Sequence, residues 1–571
     1  MVIKDDVAIV ISGEAGQGLQ TMEKLLSRMA KLNGFHVFTA SEFMSRIRGG
    51  NNSSLIRISS NRVNAAVSRM DIFIPLNPDA IARFTGRITR ETIVFADTAN
   101  IEPEYRSSGF RVRGMPYADI SRECGGGKCL NIVITGFLCG LLGMSEEILL
   151  DEVRKRLGKL DEESVQKNIA AAKQGFAAGR KETIDGDLRI SLKSSDAVKN
   201  ELLMDGTSAV GIGALAGGCN FMASYPMSPS SNLLVFMAEK AADFELAVEQ
   251  AEDEIGAVNM ACGSWYAGGR AMVTTSGGGF SLMTEGLSLA GCTETPLVIH
   301  LAQRPGPATG LPTRTEQGDL NLALYAGHGD FPRILYAPGD FAEAVDLSCR
   351  AFTMADKYQV PVFLLTDQYF LDSSYNVENI DRGALTAERH MVKTEADYKR
   401  YRITGSGISP RGIPGWGEGI VRLDSDEHTE DGFITEDFAV RKSMVEKRLR
   451  KLDGLGDDGV PPRLIGGSDY RVLLVGWGST YAIVREALRV SGATGISFLH
   501  FSQVHPIPPQ TAGYLSKAKK LIMIENNATG QFGRLIEAST GFRFAKWILK
   551  YEGQQFTVED IVNALSDAEK S

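Results

Sequence analysis

YPMSPSS (residues 225–231), AEDEIGA (251–257), TTSGGGFSLMTE (274–285) and QRPGPATGLPTRTEQGDL (303–320) decide how this chain is read. Each is polar or glycine-rich, and each follows or closes a short apolar run: FMAS, LAVEQ, AMV and PLVIHLA. Short apolar runs bounded by glycine, proline and serine mark buried strands. Between them lie helix-like segments, NLLVFMAEKAADF, IGAVNMACGSWYAGG and FSLMTEGLSLAGCTE. This alternation predicts a doubly wound parallel sheet, whose post-strand turns share the edge where ligands bind. Residues 205–375 are therefore expected to form one α/β domain with its chemistry on those four turns.

Towards the N-terminus, VAIVISG (7–13) reads as a buried strand that runs into GEAGQG (13–18) and then the helix-like LQTMEKLLSRMAKLNG. Strand, glycine turn and helix N-terminus can hold a phosphate; the same glycines can equally serve a tight turn. Gly13, Gly16 and Gly18 are the candidates, with Arg46 and Arg48 of SRIRGG as further anion contacts or as part of a solvated hairpin before a half-buried strand, SSLIRIS. The GxxGxG spacing is not the dinucleotide GxGxxG, and Glu42 fits only approximately as an acidic ribose ligand, which disfavours a nicotinamide-dependent dehydrogenase. Strands at 71–76 and 92–97 and helices at 131–142, 146–157 and 162–180 complete an α/β domain over 1–185. The polar stretch 186–204 reads as a linker.

Beyond residue 375 the pattern changes. Residues 376–465 are charged and rich in turns, and predict an irregular connecting segment with one surface helix, VRKSMVEKRLRKL. His428 and His505 read as surface loop histidines. A last α/β domain over 466–571 opens at RVLLVGWGS and continues through HPIPP and ENNATGQFGRL.

Composition sets bounds. A chain of 571 residues needs three or four domains. A net charge of −9 is modest and argues against a nucleic-acid surface, which needs a basic stripe. No apolar run of about 18 residues marks a membrane span, and the N-terminus has no signal-peptide pattern. Seven scattered cysteines suit reduced thiols and a cytoplasmic setting. Cys124 and Cys129, flanking GGGK, lack a second pair to complete four metal ligands, so no metal site is expected here.

The four central motifs in this order, followed by AGHGDFPR, resemble the alpha subunit of 2-oxoacid:ferredoxin oxidoreductases, and GEAGQG with RIRGG resembles their gamma domain. The whole chain is thus similar to a fused gamma–alpha subunit of the 2-oxoglutarate synthase type, with a transketolase-C-like last domain. The resemblance implies three α/β domains, the central one a thiamine-diphosphate pyrimidine-binding type. It implies CoA-dependent oxidative decarboxylation of a 2-oxoacid to acyl-CoA and CO2, with electrons passing to ferredoxin. It places Glu254 against the cofactor's aminopyrimidine, where a dry carboxyl keeps a shareable proton; Glu249, Glu252 and Asp253 compete for that role. Tyr225, Pro226, Ser228, Thr275, Ser276 and Gly277 would line the cofactor. Arg304 would hold the substrate carboxylate bidentately with Ser228, Thr309 and Thr313 nearby, and Arg314 is its rival. Gly13, Gly16, Gly18, Arg46 and Arg48 become candidate coenzyme A contacts. Met227 and Ser228 depart from the family's usual letters, which leaves the oxoacid open among 2-oxoglutarate, pyruvate and branched-chain acids.

A GDG…N segment for Mg2+ and a four-cysteine cluster run are both missing. Mg2+, the diphosphate end and a [4Fe-4S] cluster are therefore expected on a beta subunit, in a dimer of alpha–beta pairs. The alternative to a catalytic subunit is a non-catalytic scaffold with a vestigial cofactor site.

Overall fold

The computed structural model describes residues 2–44, 50–101, 109–158, 161–185, 188–383 and 385–570. Arg46 and Arg48 lie outside the described residues. The chain divides into two compact units. The first is 1–205 with 372–379 and 557–571; the second is 206–371 with 380–556.

The first unit is built on an eight-stranded sheet in the order Arg111–Met115, Ile93–Asp97, Ile72–Pro75, Asp6–Glu14, Asn51–Ser59, His36–Glu42, Ser373–Val377, Leu202–Asp205. Asp6–Glu14 runs parallel to Ile72–Pro75 but antiparallel to Asn51–Ser59. Asn51–Ser59 is buried along nearly its whole length rather than half-buried, because it lies inside the sheet. Helix Leu130–Leu141 crosses helix Glu162–Asp185 at glycines: a Cβ on Gly136, Gly140, Gly175 or Gly179 would strike the partner helix's backbone.

Three stretches depart from the expected boundaries, each through long-range pairing. The supposed linker carries Arg189–Ser191, paired with Val2–Lys4, and Leu202–Asp205, an edge strand of the large sheet. Ser373–Val377 pairs with His36–Glu42. The terminal helix Val558–Lys570 begins with the Val558 amide donating to the Ala66 carbonyl, and so belongs to the first unit.

The second unit holds two sheets. The larger runs Ala247–Gln250, Phe221–Ser224, Ala271–Thr275, Leu297–Gln303, Pro361–Asp367, Ile334–Tyr336, Gln503–His505, parallel except for the last strand. The smaller runs Arg463–Ile465, Ile496–Phe501, Val472–Trp477, Lys520–Glu525, Lys546–Leu549. The chain is thus an α/β protein with three major sheets, the two of the second unit mostly parallel and the eight-stranded one mixed. No single helix among the described residues is long and apolar enough to cross a membrane.

The charged segment between these sheets is less a loop than a packed strap. Its regular structure is sparse, with isolated bridges Thr394–Gly417 and His428–Ile434. Yet Arg400, Tyr401, Arg411, His428, Lys447 and Lys451 are all buried. Arg411 pairs with Asp356 at 2.5 Å, and Lys447 and Lys451 grip Glu294 at 2.5 and 2.6 Å. Helix Phe438–Leu449 buries Met444, Lys447 and Arg448, so only part of it is surface. His428 is fully buried against the Tyr401 ring rather than exposed, and His505 lies in the strand Gln503–His505, where burial pushes its imidazole down to about 4.

Candidate functional site

Four loops leave the C-terminal ends of adjacent parallel strands in the second unit, after Ser224, Gln250, Thr275 and Gln303. Parallel pairing puts them on one sheet edge.

Helix Glu254–Tyr266 starts directly after the second of these strands. Asp253 caps it, its side chain accepting from the Gly256 amide at 2.7 Å. That leaves Glu254 at the first helical position, 3% exposed, with Oε1 buried and without a hydrogen-bond partner. Burial pushes its carboxyl up, and the neighbouring Asp253 charge acts in the same direction. Glu249 and Glu252 are exposed and Asp253 is spent on the cap, so among the four rivals only Glu254 offers a dry carboxyl.

Opposite it, strand Ala271–Thr275 ends in Ser276 and the short helix Gly277–Phe280. A Cβ on Gly279 would overlap Oε1 of Glu254 and Oγ1 of Thr275. A Cβ on Gly277 would overlap both carboxylate oxygens of Asp319. The GGG turn is therefore flanked by two carboxyl groups, each carrying one buried, unpartnered oxygen. Ser276 Oγ is also buried without a partner. Beneath them His300 bridges Thr274 and Thr366 at 2.7 and 2.8 Å; burial pushes it to about 3, so it braces the sheet as a neutral imidazole.

Arg304 follows strand Leu297–Gln303 and is 9% exposed. Its Nη1 donates to the Ser228 carbonyl at 2.7 Å, tying the fourth loop to the first. Ser228 and Met227 are half-buried, while Tyr225 and Pro226 are exposed. Thr309 is exposed; Thr313 and Arg314 are half-buried. Gly310, at φ 53°, has no room for a Cβ against the Pro305 carbonyl, which fixes the loop's sharp return.

The loop's far end is stapled to the smaller sheet. Gln317 exchanges hydrogen bonds with the Asn526 backbone at 2.7 and 3.1 Å and donates to the Trp477 carbonyl at 2.9 Å. Asn527 and Gln531 donate to the carbonyls of Gln317 and Gly318. Buried Glu525 organises that corner by accepting from Trp477, Asn527 and the amides of Phe532 and Gly533. The ENNATGQ stretch thus positions the loop that carries Arg304.

Asp319, His300, Gln317 and Gly279 were not singled out from sequence. A histidine inside PLVIHLAQR was the one local signal; GDL is too common to mark a site.

In the first unit, Gly13 is the penultimate residue of strand Asp6–Glu14, and Gly16 and Gly18 adopt φ of 97° and 80°. Gly18 caps helix Leu19–Leu32 with no side-chain bond and no acidic residue in the first turn, an arrangement open to an anion. Cys124 and Cys129 are buried, and burial raises both thiols. Among the described residues no group of three or more His, Cys, Asp or Glu could hold a metal ion.

Residues 212–447 match the family described as pyruvate flavodoxin/ferredoxin oxidoreductase, thiamine diphosphate-binding, and residues 8–178 match pyruvate ferredoxin/flavodoxin oxidoreductase. Fold and site thereby define a thiamine-diphosphate-binding oxidoreductase. A 2-oxoacid:ferredoxin oxidoreductase subunit alpha from Sulfolobus sp is 30% identical, over 97% of this chain and 96% of its own length. The chain belongs to the 2-oxoacid:ferredoxin oxidoreductase alpha-subunit family. The 2-oxoglutarate synthase subunit KorA of Archaeoglobus fulgidus is 33% identical over 59% of this chain and 90% of its own. The structure of 2-oxoglutarate:ferredoxin oxidoreductase from Magnetococcus marinus, with 2-oxoglutarate, coenzyme A and succinyl-CoA bound, covers 99% of both chains at a TM-score of 0.92 and 29% identity.

Proposed function

We propose that this chain, with a partner beta subunit, oxidatively decarboxylates 2-oxoglutarate with coenzyme A and passes the electrons to ferredoxin in the cytoplasm. The observation that carries the reading is the buried, unpartnered Oε1 of Glu254 facing a glycine turn, on the same sheet edge as Arg304. The relatives that act on 2-oxoglutarate support the choice of oxoacid.

The residues suit one end of thiamine diphosphate. Glu254 would meet the aminopyrimidine, since an orphaned carboxyl with a raised proton affinity is what a ring nitrogen can share a proton with. Thr275, Ser276 and Gly277 would present backbone to the ring, with Tyr225, Pro226 and Ser228 closing the side. Bound thiamine diphosphate would supply the electron sink that makes loss of CO2 from a 2-oxoacid accessible. Arg304, already oriented by Ser228, has donors left for the oxoacid carboxylate. Thr309, Thr313 and Arg314 surround the loop and bear on the distal end of the substrate.

Mg2+, the diphosphate end and the [4Fe-4S] cluster fall to the beta subunit in this reading, in a dimer of alpha–beta pairs. The first unit takes the gamma-domain role, with the helix N-terminus at Gly18, which has no side-chain cap bond, as a coenzyme A phosphate contact.

Turnover of the co-purified complex with 2-oxoglutarate, pyruvate and a branched-chain oxoacid, using coenzyme A and a viologen dye, tests the reading. The highest kcat/KM is expected for 2-oxoglutarate. Higher kcat/KM for either other acid would overturn the substrate assignment, and no coenzyme A-dependent reduction with any of them would overturn the reaction.

A further inference from the structure

Asp319 occupies the capping position of helix Leu320–Tyr325, yet its side chain makes no capping hydrogen bond. The carboxyl is turned instead towards Gly277, with Oδ2 buried and unpartnered. The backbone holds it there: the Asp319 amide donates to Gln303 Oε1 at 3.0 Å, and Gln303 donates to the Thr366 carbonyl at 3.2 Å. Asp319 is therefore fixed to the end of the strand that leads into Arg304.

We propose that Asp319 is a positioning residue that must carry a proton when Arg304 receives the oxoacid carboxylate, so that substrate binding takes up one proton. The proposal rests on Arg304 being the carboxylate contact. The charged groups acting on Asp319 are few. Glu316 from its own loop raises its proton affinity, and Arg304 from the neighbouring strand end lowers it. The Ser276–Gly277 turn packed on its other side brings no charge. Burial outweighs the arginine and lifts the carboxyl to about 7. Two carboxylates cannot both draw fully on one desolvated guanidinium. An arriving oxoacid would offset the positive charge that lowers the proton affinity of Asp319, and an ionised Asp319 would then take a proton from solvent. By reciprocity, an ionised Asp319 weakens oxoacid binding. The sign follows: the proton is lost as pH rises through about 7, so affinity falls above that value.

The test uses the assembled enzyme complex with coenzyme A and viologen saturating. Wild-type KM for 2-oxoglutarate should stay level from pH 6 to 7 and then rise about tenfold per pH unit, as uptake of one proton requires, with kcat changing little. Asp319→Asn should keep KM level to pH 8.5. A flat wild-type profile, or the same slope in the Asn variant, overturns the coupling. Calorimetric titration of the wild-type complex with N-oxalylglycine, an unreactive 2-oxoglutarate isostere, in two buffers of different ionisation enthalpy decides the matter even if the variant fails to assemble. Uptake near one proton at pH 8 and near none at pH 6 supports the proposal, and equal uptake at both overturns it. Arg304→Gln separates the two levels: an unchanged KM there removes the carboxylate assignment itself, whereas a raised KM beside a flat wild-type pH profile removes only the coupling.

Discussion

At Glu254 the deciding property is an oxygen with no partner. A buried carboxyl oxygen left unpaired costs free energy unless it is protonated or meets a ligand. Glu254→Gln keeps the shape and the hydrogen-bonding capacity but cannot exchange a proton. It is expected to leave assembly and thermal stability of the complex unchanged while lowering kcat by about 10²–10⁴-fold, the range for general acid–base groups. A variant that retained wild-type kcat would return the site to the scaffold reading. Gly279 offers an independent check, because the methyl of Gly279→Ala would occupy the space of Glu254 Oε1 and Thr275 Oγ1. Overpacking of this kind costs about 1–3 kcal/mol. The Glu254 side chain should yield first, so thiamine diphosphate titration of the complex should show weaker binding. Gly278→Ala, whose Cβ would meet only the Ala308 carbonyl at 3.6 Å, should leave the melting temperature unchanged.

At the scale of elements, the strap 380–462 is held to the larger sheet by charge buried inside apolar packing. Glu294, at φ 51° and fully buried, receives Lys447 and Lys451 and offers its carbonyl to Arg400. Lys451 and Lys447 together hold the Glu294 carboxyl far below its ordinary range against the opposing effect of burial. Removing one partner from such a cluster costs about 3–5 kcal/mol, since an under-compensated buried charge remains. Lys447→Met should therefore lower the apparent melting temperature of the complex by several degrees. For a carboxyl whose folded value is depressed, stabilisation is present above the unfolded value and lost only as pH falls towards the folded one. The Lys447→Met deficit should accordingly still be present at pH 5.5, above the range in which Glu294 takes up its proton; a variant as stable as wild type at pH 5.5 would refute this assignment. The strap also shows what local pattern could convey. Strands such as Asp6–Glu14 and Leu297–Gln303 were legible because burial on both faces writes a continuous apolar run. Glu254 was singled out through the family resemblance, which places the glutamate immediately before a small-residue run; local pattern alone left Glu249, Glu252 and Asp253 as rivals. The burial of Lys447 and Arg411 was not legible, because it depends on partners about 50 to 150 residues away in sequence. The same holds for Ser373–Val377, which local pattern assigned to the central domain and whose partner strand lies more than 300 residues upstream. Asp319 was hidden for a related reason: only the fold turns an ordinary capping aspartate away from its helix.

At the scale of the molecule, the second unit presents apolar side chains around the very edge that carries the site. Ile255 is 47% exposed on helix Glu254–Tyr266, one residue beyond Glu254, and Met260 is 42% exposed on the same helix. Leu282, 50% exposed, lies on the turn Ser281–Met283, which packs against that helix. Exposed apolar groups on the elements that carry a polar, partly formed site suit a protein interface better than open solvent. In the proposed alpha–beta arrangement the partner subunit covers this edge and meets the cofactor from the other side. The purified chain, given thiamine diphosphate, Mg2+, 2-oxoglutarate, coenzyme A and viologen, is then expected to show no coenzyme A-dependent dye reduction, and addition of the beta subunit should restore it. Ile255→Asp places a charge where a desolvated contact is expected and should weaken assembly by at least tenfold in a titration of one subunit against the other. Thermal stability of the isolated chain should be unaffected, since Ile255 is already exposed there. Turnover by the chain alone would place the complete site within one polypeptide, and unaltered assembly of the Ile255→Asp variant would move the interface elsewhere.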